Sequence, residues 1–512
     1  MQAIENFSFQ NGISNLDLIK NSGLVISNFI SERFSKESDQ ILVLLGSGTN
    51  GSDGIVAASN LIFRGYDVSI VILRPRLKND KDLQRLYAQQ ESQIFDYSDN
   101  QSKFSINQFT ELINKSDVIV DAVFGTGLSR PINFELGKFF KIIQDNQSTK
   151  SIISVDLPSG LNPDNGKVDP SAISADFTLA LGFPKLGHFN PLAIEYVGEL
   201  NVLDIGLNQE FEENILTRTI STPSFNEFPV RKLNSNKGTF GKTLIIGGSK
   251  NFPGSVSLAA NAAYRVGSGL IEGMIPANII GSFSALTPEA IVFPLPIDQF
   301  GEMEMTPTTN LSIASEINQY SSILLGCGLG VSAIKIQFVQ NLLFSSSAHS
   351  KFVIDADALN ILSNTYKWWD RFSTKAVLTP HLKEMARLTR MSILDIQNDR
   401  VEVVRHFAQY WNKIIVLKGA FTLIGFPTGE VLVNTESNPL LSTAGTGDVL
   451  AGMIAGFVSQ GLSLEKSSEL GVFIHSEIAK NEKHIKGTSG LLASDLVNKI
   501  PEVINVFRDK NG

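Results

Sequence analysis

The chain has 512 residues, with 43 Lys and Arg against 51 Asp and Glu, a net charge of −8, 43% hydrophobic residues, 41 Gly and one cysteine. At about 150 residues per domain this length predicts roughly two to four domains with real cores, and the hydrophobic content excludes a disordered chain. The acidic balance offers no bulk attraction for nucleic acid or anionic lipid, so an anionic ligand must be held by local devices. Cys327, alone, excludes an internal disulfide framework and any multi-thiolate zinc or iron–sulfur centre, and it fits a reducing compartment. The six histidines form no HxxxH pair, which argues against a histidine-rich metal centre. At the N-terminus no basic stretch precedes an apolar one, and the longest apolar-small run, Val449 to Val458, is shorter than the ~20 residues that cross a bilayer. A cytoplasmic protein is expected.

In the first half, short aliphatic runs alternate with helical patterns: Ile41 to Leu45, Val68 to Leu73, Asp117 to Val120, Ser151 to Val155 and Phe177 to Leu181. Runs apolar on both faces and spaced by helix-length segments predict buried parallel strands in a doubly wound α/β sheet. Ligands of such sheets bind beyond the carboxyl ends of the strands, and four of these runs lead into polar, mostly glycine-rich segments. Between Glu210 and Lys237 the pattern lapses into Ser, Thr, Asn and Pro, which places a domain boundary near Ser221 to Pro229 and divides 1–222 from 223–512. Strand and loop alternation restarts at Lys242 to Ser249, then Ser321 to Gly330, Lys351 to Leu359, Lys375 to His381 and Lys413 to Gly419. FTLIG and EVLVN follow as a hairpin turning through Pro427, Thr428 and Gly429, and two long helical segments, Gly447 to Gln460 and Leu464 to Lys483, close the pattern.

Gly46, Gly48 and Gly51 satisfy GxGxxG directly after a strand and before a helix, the dinucleotide fingerprint. The acidic residue expected at the end of the second strand is missing, where Leu73, Arg74, Pro75 and Arg76 stand. Asp53 near the helix N-terminus would repel a pyrophosphate docked there. A tight turn with a helix cap explains this segment as well as a binding loop does. Asn50, Asp121 and Ser159, each at or just beyond a strand end, form an oxygen set suited to a hard cation.

The segments GSGTNGSDGIVAA, DAVFGTGLSRPI and VDLPSG resemble, in order, the GxGNNGGDGxVAA, DxxFGTGLxR and DIPSG blocks of NAD(P)H-hydrate epimerases. The resemblance implies a Rossmann-like α/β/α sandwich in which Asn50, Asp121 and Ser159 hold a potassium ion. It also implies hydrate contacts from Thr49, Asn50, Gly51, Ser52, Asp53, Gly125, Thr126, Gly127, Leu128, Ser129, Arg130, Pro131 and Asp156, with Asp156 as a catalytic candidate. The chain departs from the family pattern at Thr49 and Ser52, and LIKNSG, Leu18 to Gly23, replaces the usual LMxxAG. Lys185 is either a solvated lysine or a residue facing the site.

In the second half, Ser442 to Phe457 runs small residues and glycines into a helix whose free N–H groups make an anion hole, with Asp448 in its first turn. A carboxylate there can take a proton from an attacking hydroxyl while the N–H groups steady a phosphoryl group, although for GTGD in isolation a glycine-rich turn capped by Asp448 is the favoured reading. Lys237 to Leu270, IDADALNIL, LTPHLKEMARL, VLKGAFTLI and NPLLSTAGTGDVLAG resemble, in order, blocks of the ADP-dependent NAD(P)H-hydrate dehydratases of the ribokinase-like fold. By that resemblance Gly328, His381, Leu382, Lys383, Glu384, Met385 and Ala386 line the hydrate site with Asp448 as base. Lys418, Gly419, Ala420, Phe421 and Thr422, with Asn438, Pro439, Leu440, Leu441, Ser442, Thr443, Ala444, Gly445, Thr446 and Gly447, surround ADP. Departures are Cys327 for proline in GPGLG, Leu382 and Lys383 for Pro-Gly, and Ala444 for glycine. Asp355 and Asp357 admit a magnesium site or a helix cap.

Together the resemblances imply a bifunctional NAD(P)H-hydrate repair enzyme. One domain exchanges the R and S epimers of the hydrate, and the other dehydrates the S epimer with ADP, giving AMP, phosphate and NAD(P)H. Potassium in the first domain and magnesium with ADP in the second are the implied ions. NADH hydrate, NADPH hydrate and ADP are the expected partners, with no nucleic acid or membrane, in a homo-oligomer. A ribokinase-like small-molecule kinase, an NADP-dependent oxidoreductase and a non-catalytic nucleotide-binding module are the alternatives.

Overall fold

The computed structural model describes residues 2–76, 84, 93–98, 104–127, 130–208, 215–223, 228–304, 313, 316–347 and 349–509. Two compact units divide the chain, Met1–Asn214 and Ile215–Gly512.

In the first unit seven strands form one sheet: β1 (Gln40–Leu45), β2 (Asp67–Ile72), β3 (Ile94–Asp96), β4 (Val118–Ala122), β5 (Ser151–Val155), β6 (Phe177–Leu181) and β7 (Glu199–Leu203). All pairings are parallel, in the order β3-β2-β1-β4-β5-β6-β7. The apolar run of β1 serves two cores at once. Ile41, Val43 and Leu45 pack with residues of the helices Asn15–Ser31 and Thr49–Phe63, whereas Leu42 and Leu44 pack with those of Ile106–Lys115 and Phe134–Asn146. This is the doubly wound sandwich expected from the double-faced strands. The strands β3 and β7 carry no apolar run that could announce them: one is three residues long, and the other is largely half-exposed.

The second unit holds ten strands: β8 (Thr217–Thr219), β9 (Lys242–Ile246), β10 (Leu270–Pro276), β11 (Ile291–Leu295), β12 (Ser322–Leu325), β13 (Phe352–Ile354), β14 (Ala376–Leu378), β15 (Ile414–Leu417), β16 (Leu423–Gly425) and β17 (Val431–Val433). Their order is β11-β10-β9-β12-β13-β14-β15-β16-β17-β8, with β16 antiparallel to both of its neighbours, so the expected hairpin is present. Because β8 pairs with β17, the chain enters this unit before the Ser221 to Pro229 segment, and the division between units falls earlier than the change in composition suggests.

The apolar run Val449 to Val458 lies within the helix Thr446–Ser459 and is buried throughout. It packs on the helix Pro253–Val266 so closely that a Cβ added at Gly452 would come within 2.2 Å of the Ala259 carbonyl oxygen. This run is therefore a core helix. The helix Leu464–Lys486 follows as expected, and a further helix, Ala493–Asp509, contributes Leu496, Ile500 and Ile504 to the same core. No helix among the described residues is long and apolar enough to cross a membrane.

Candidate functional site

Strand order in the first sheet reverses between β1 and β4, and the segments that follow these two strands flank a cavity of about 850 Å³. From the first segment Thr49, Asn50 and Asp53 line it, and from the second Gly125, Thr126, Gly127, Arg130 and Pro131, with Asp156 beyond β5. Leu128 and Ser129 lie outside the described residues. Gly51 and Ser52 are not part of the lining. A Cβ at Gly51 would meet the Gly46 carbonyl oxygen at 2.2 Å, and the Ser52 hydroxyl accepts a hydrogen bond from Arg76 at 2.7 Å. Glu5, Leu18 and Ser22 from the N-terminal helices, together with Arg74, complete walls that the motif blocks did not include.

Asp121 and Ser159 meet directly, and Asn50 is tied to the same place through Phe124, whose carbonyl accepts from Asn50 and whose N–H donates to the Ser159 hydroxyl. Asp121 is fully buried and accepts from the Ser159 hydroxyl (2.6 Å), the Ser159 N–H (2.8 Å), the Ser154 hydroxyl (3.0 Å) and the Val123 N–H (3.2 Å). Burial nevertheless raises its carboxyl above the ordinary range, and a cation beside it would offset that cost. Asn50 donates to the Phe124 carbonyl at 2.9 Å, while its Oδ1 is buried without a donor. A buried carbonyl-type oxygen without a donor, a buried carboxylate and a hydroxyl are the kinds of oxygen that potassium takes.

Asp156 is a non-glycine residue in the left-handed region, with φ of 65°. Its carboxylate accepts from the Leu181 N–H at 3.1 Å and is ion-paired with the buried Lys185, which also donates to the Leu181 carbonyl at 3.0 Å. Lys185 is thus no solvated lysine: it is 7% exposed. His188 Nδ1 accepts from the Lys185 N–H, which leaves Nε2 to donate to the Asp156 carbonyl at 2.9 Å. Burial holds that imidazole down at about 3, so it is neutral.

The second sheet also reverses order, between β9 and β12. After β12 come Gly326 to Gly330, where Gly328 takes φ of 62° against Phe252 and Ser255, and where Gly330 donates its N–H to Asp357 at 2.7 Å. That contact makes Asp357 a loop tie. Asp355 instead accepts from Lys418 (2.6 Å) and Thr379 (2.7 Å), so the two aspartates do not assemble into one magnesium site. Asp448, on the first turn of the helix Thr446–Ser459, comes close to Asp355 and to Cys327, the ligating atoms of all three lying within 4.8 Å of one another. Burial, and then the charge of Asp355, push the Asp448 carboxyl up to about 7, against hydrogen bonds from Cys327 and Ser255 that lower it.

His381 caps the helix Leu382–Thr389: its Nδ1 accepts from the N–H groups of Lys383 (3.1 Å) and Glu384 (3.2 Å), and Glu384 accepts from the His381 N–H at 2.8 Å. Lys383 is exposed, Leu382 and Ala386 are half-buried, and Met385 has no exposed surface. A second cavity, of about 360 Å³, opens between β15 and the start of the helix Thr446–Ser459. Lys418, Gly419, Ala420 and Thr422 line it, as do Asn438, Pro439, Leu441, Ser442, Thr446 and Gly447. Phe421, Leu440, Thr443, Ala444 and Gly445 are not in that lining; Leu440 is 1% exposed and packs inward. Asn434, Glu436, His475 and Ser476 join the lining from β17 onward and from the helix Leu464–Lys486, contributions that the glycine-rich motifs do not reveal.

Two α/β units, one with a cleft at the reversal of its strand order and the other with a cleft between β15 and the helix Thr446–Ser459, define a two-domain α/β protein with a ligand-sized cleft in each domain. Residues 243–502 match the family model described as NAD(P)H-hydrate dehydratase, and residues 15–187 match that of the YjeF-related protein N-terminus. The bifunctional NAD(P)H-hydrate repair enzyme Nnr of Dictyoglomus turgidum is 33% identical over 96% of this chain and 95% of its own. Its counterpart from Moorella thermoacetica is 31% identical over 97% and 94%. Among solved structures, an ADP/ATP-dependent NAD(P)H-hydrate dehydratase from Bacillus subtilis is 28% identical over 56% of this chain and 100% of its own, with a TM-score of 0.48. The chain belongs to the family of bifunctional NAD(P)H-hydrate repair enzymes.

Proposed function

We propose that the first unit interconverts the R and S epimers of NADH and NADPH hydrate at the cleft between β1 and β4, and that the second unit dehydrates the S epimer with ADP. The observation that carries this reading is the second cleft: a carboxyl held near neutrality stands on the first turn of a helix that opens beside a nucleotide-sized cavity. Hydroxide is a poor leaving group and phosphate a better one. Asp448 takes the proton of the hydrate hydroxyl as its oxygen attacks the terminal phosphorus of ADP, AMP departs, and loss of phosphate from that carbon together with a proton from the neighbouring ring carbon restores the double bond of NAD(P)H. The N–H groups of Gly447 and Asp448 on the first turn face the transferring phosphoryl group, and Lys418, whose Nζ lies beside Gly447, adds a positive charge there.

Glycine at 419 and 447 keeps the backbone close to the phosphates, and His381, Leu382, Lys383 and Ala386 with Gly328 make the hydrate wall. Magnesium bound with ADP would neutralise charge on its phosphates. In the first unit Asn50, Asp121 and Ser159 would hold potassium, which would supply a fixed positive charge close to the polar end of the hydrate. A cytoplasmic homo-oligomer completes the reading, and sedimentation of the purified chain tests the assembly.

The test of function is recovery of the reduced-nicotinamide absorbance from a mixture of both hydrate epimers with ADP, magnesium and potassium. Full recovery, faster than the enzyme-free exchange of epimers, is expected. Recovery of the S epimer alone would remove the first activity. A stable phosphorylated product would favour the small-molecule kinase.

A further inference from the structure

The first cleft holds two carboxyl groups of unlike condition, brought in from two elements. Asp53, 5% exposed, lies in the helix Thr49–Phe63 and lines the cavity beside Ser22, while Asp156 enters the same cavity from the end of β5 as the partner of Lys185. We propose, resting on the epimerase reading of this unit, that Asp53 and Asp156 form the proton donor and acceptor pair of epimerisation, and that Lys185 is a positioning residue for Asp156.

The surroundings of each carboxyl support the division of labour. Glu5, Ser22, Asp156 and Lys185 are the polar and charged groups that act on Asp53, and burial followed by the Asp156 charge lifts its carboxyl well above the ordinary range. Asp53 is the acid member of the proposed pair. Asp156, the base member, is paired with Lys185, accepts from the Leu181 N–H and is fixed in a left-handed backbone that the His188 imidazole clasps through the Asp156 carbonyl. A paired acid and base kept in opposite protonation states is what reversible addition to one carbon requires.

The step balances as follows. Asp53 gives its proton to the hydroxyl on the carbon bonded to the ring nitrogen, the C–O bond breaks, and the nitrogen lone pair closes a C=N bond with release of water. A water molecule then adds to the other face of that carbon, its oxygen forming the new C–O bond while the pair of the C=N bond returns to nitrogen and Asp156 takes the proton. Transfer of that proton back to Asp53 through water resets the pair. No oxidant or further reactant is consumed, and the reverse direction uses the same groups with exchanged roles.

The experiment uses the full-length chain with potassium and without ADP, starting from pure R hydrate in water enriched in oxygen-18. The S hydrate formed should carry the heavy oxygen in step with its formation, at a rate above the enzyme-free control. Retention of the original oxygen would overturn the proposal, because the hydroxyl would not have left. Asp53→Asn should slow the exchange of epimers by about 100-fold or more, and Asp53→Glu, which keeps the acid, should restore part of it. An unchanged rate in Asp53→Asn would also overturn the proposal. Lys185→Met should lower kcat by about tenfold with little change in KM, with recovery in Lys185→Arg; a loss confined to KM would make Lys185 a binding residue instead. If the unaltered chain fails to accelerate the exchange at all, the epimerase reading itself falls. If it does accelerate it and the variants or the isotope disagree, only the proton pair falls.

Discussion

The two clefts solve one electrostatic problem with matching parts. Each places a carboxyl near the start of a helix, Asp53 in one and Asp448 in the other, facing a second carboxylate that is ion-paired to a lysine: Asp156 with the buried Lys185, and Asp355 with the half-buried Lys418. The difference lies in depth and in partners. Asp53 is closed in, and its carboxyl rises well above the usual range, whereas Asp448 is half-buried, meets Cys327 and Ser255, and stops at about 7. A carboxyl of the first kind enters a reaction as an acid. One of the second kind is ionised in part at neutral pH and can serve as a base. The same arrangement thus yields opposite roles according to how much water and how many donors it retains.

The sharpest break in this comparison is Asp448→Asn. Dehydration of the S hydrate should fall by about 10²–10⁴-fold while ADP still binds, as single-turnover measurements and calorimetric titration would show. Loss of nucleotide binding together with the fold would make Asp448 a cap instead. Next comes the first cleft's ion: Asn50→Ala removes the unpartnered oxygen and should abolish the stimulation of epimerisation by potassium, a drop of about tenfold, measured across a potassium series with sodium as the control.

Gly452→Ala tests the scaffold rather than the chemistry. Overpacking against the Ala259 carbonyl should cost the second unit about 1–3 kcal/mol, read by denaturant unfolding, and should leave the exchange of epimers by the first unit in place. The smallest effect concerns pH. Asp448 must be ionised to accept a proton, so kcat/KM for dehydration should rise as pH increases through about 7 and fall below it. Cys327→Ala removes a hydrogen bond that lowers the Asp448 carboxyl, so the midpoint of that rise should move upward. A midpoint unmoved by this change would mean that Cys327 does not act on Asp448.

Most strands of both sheets were legible as apolar runs, because a strand buried on both faces has no polar positions to hide its pattern. Edge strands were not. β8 is Thr-Arg-Thr and pairs, among the described residues, only with β17; the inner strand β10, with Glu272 and Gly273 inside its run, was hidden as well. The candidate sites divide in the same way. The cation set and the glycine-rich turns stood in compact motifs, while Ser22, Lys185, Asn434 and His475 reached the clefts from segments without a motif of their own.

Alternation of apolar runs, the glycine-rich blocks and their order along the chain were enough to establish two α/β domains, the family and the carboxylates at the two clefts, because each of these is a property of local spacing. Which carboxyl is protonated, which lysine is buried and where the first domain ends were decided by tertiary structure. Those properties depend on groups far apart in the chain: Lys185 lies 29 residues from Asp156, and Lys418 lies 63 from Asp355. The charge on a buried group follows from the water that it loses and the neighbours that replace that water, and only the folded chain chooses those neighbours.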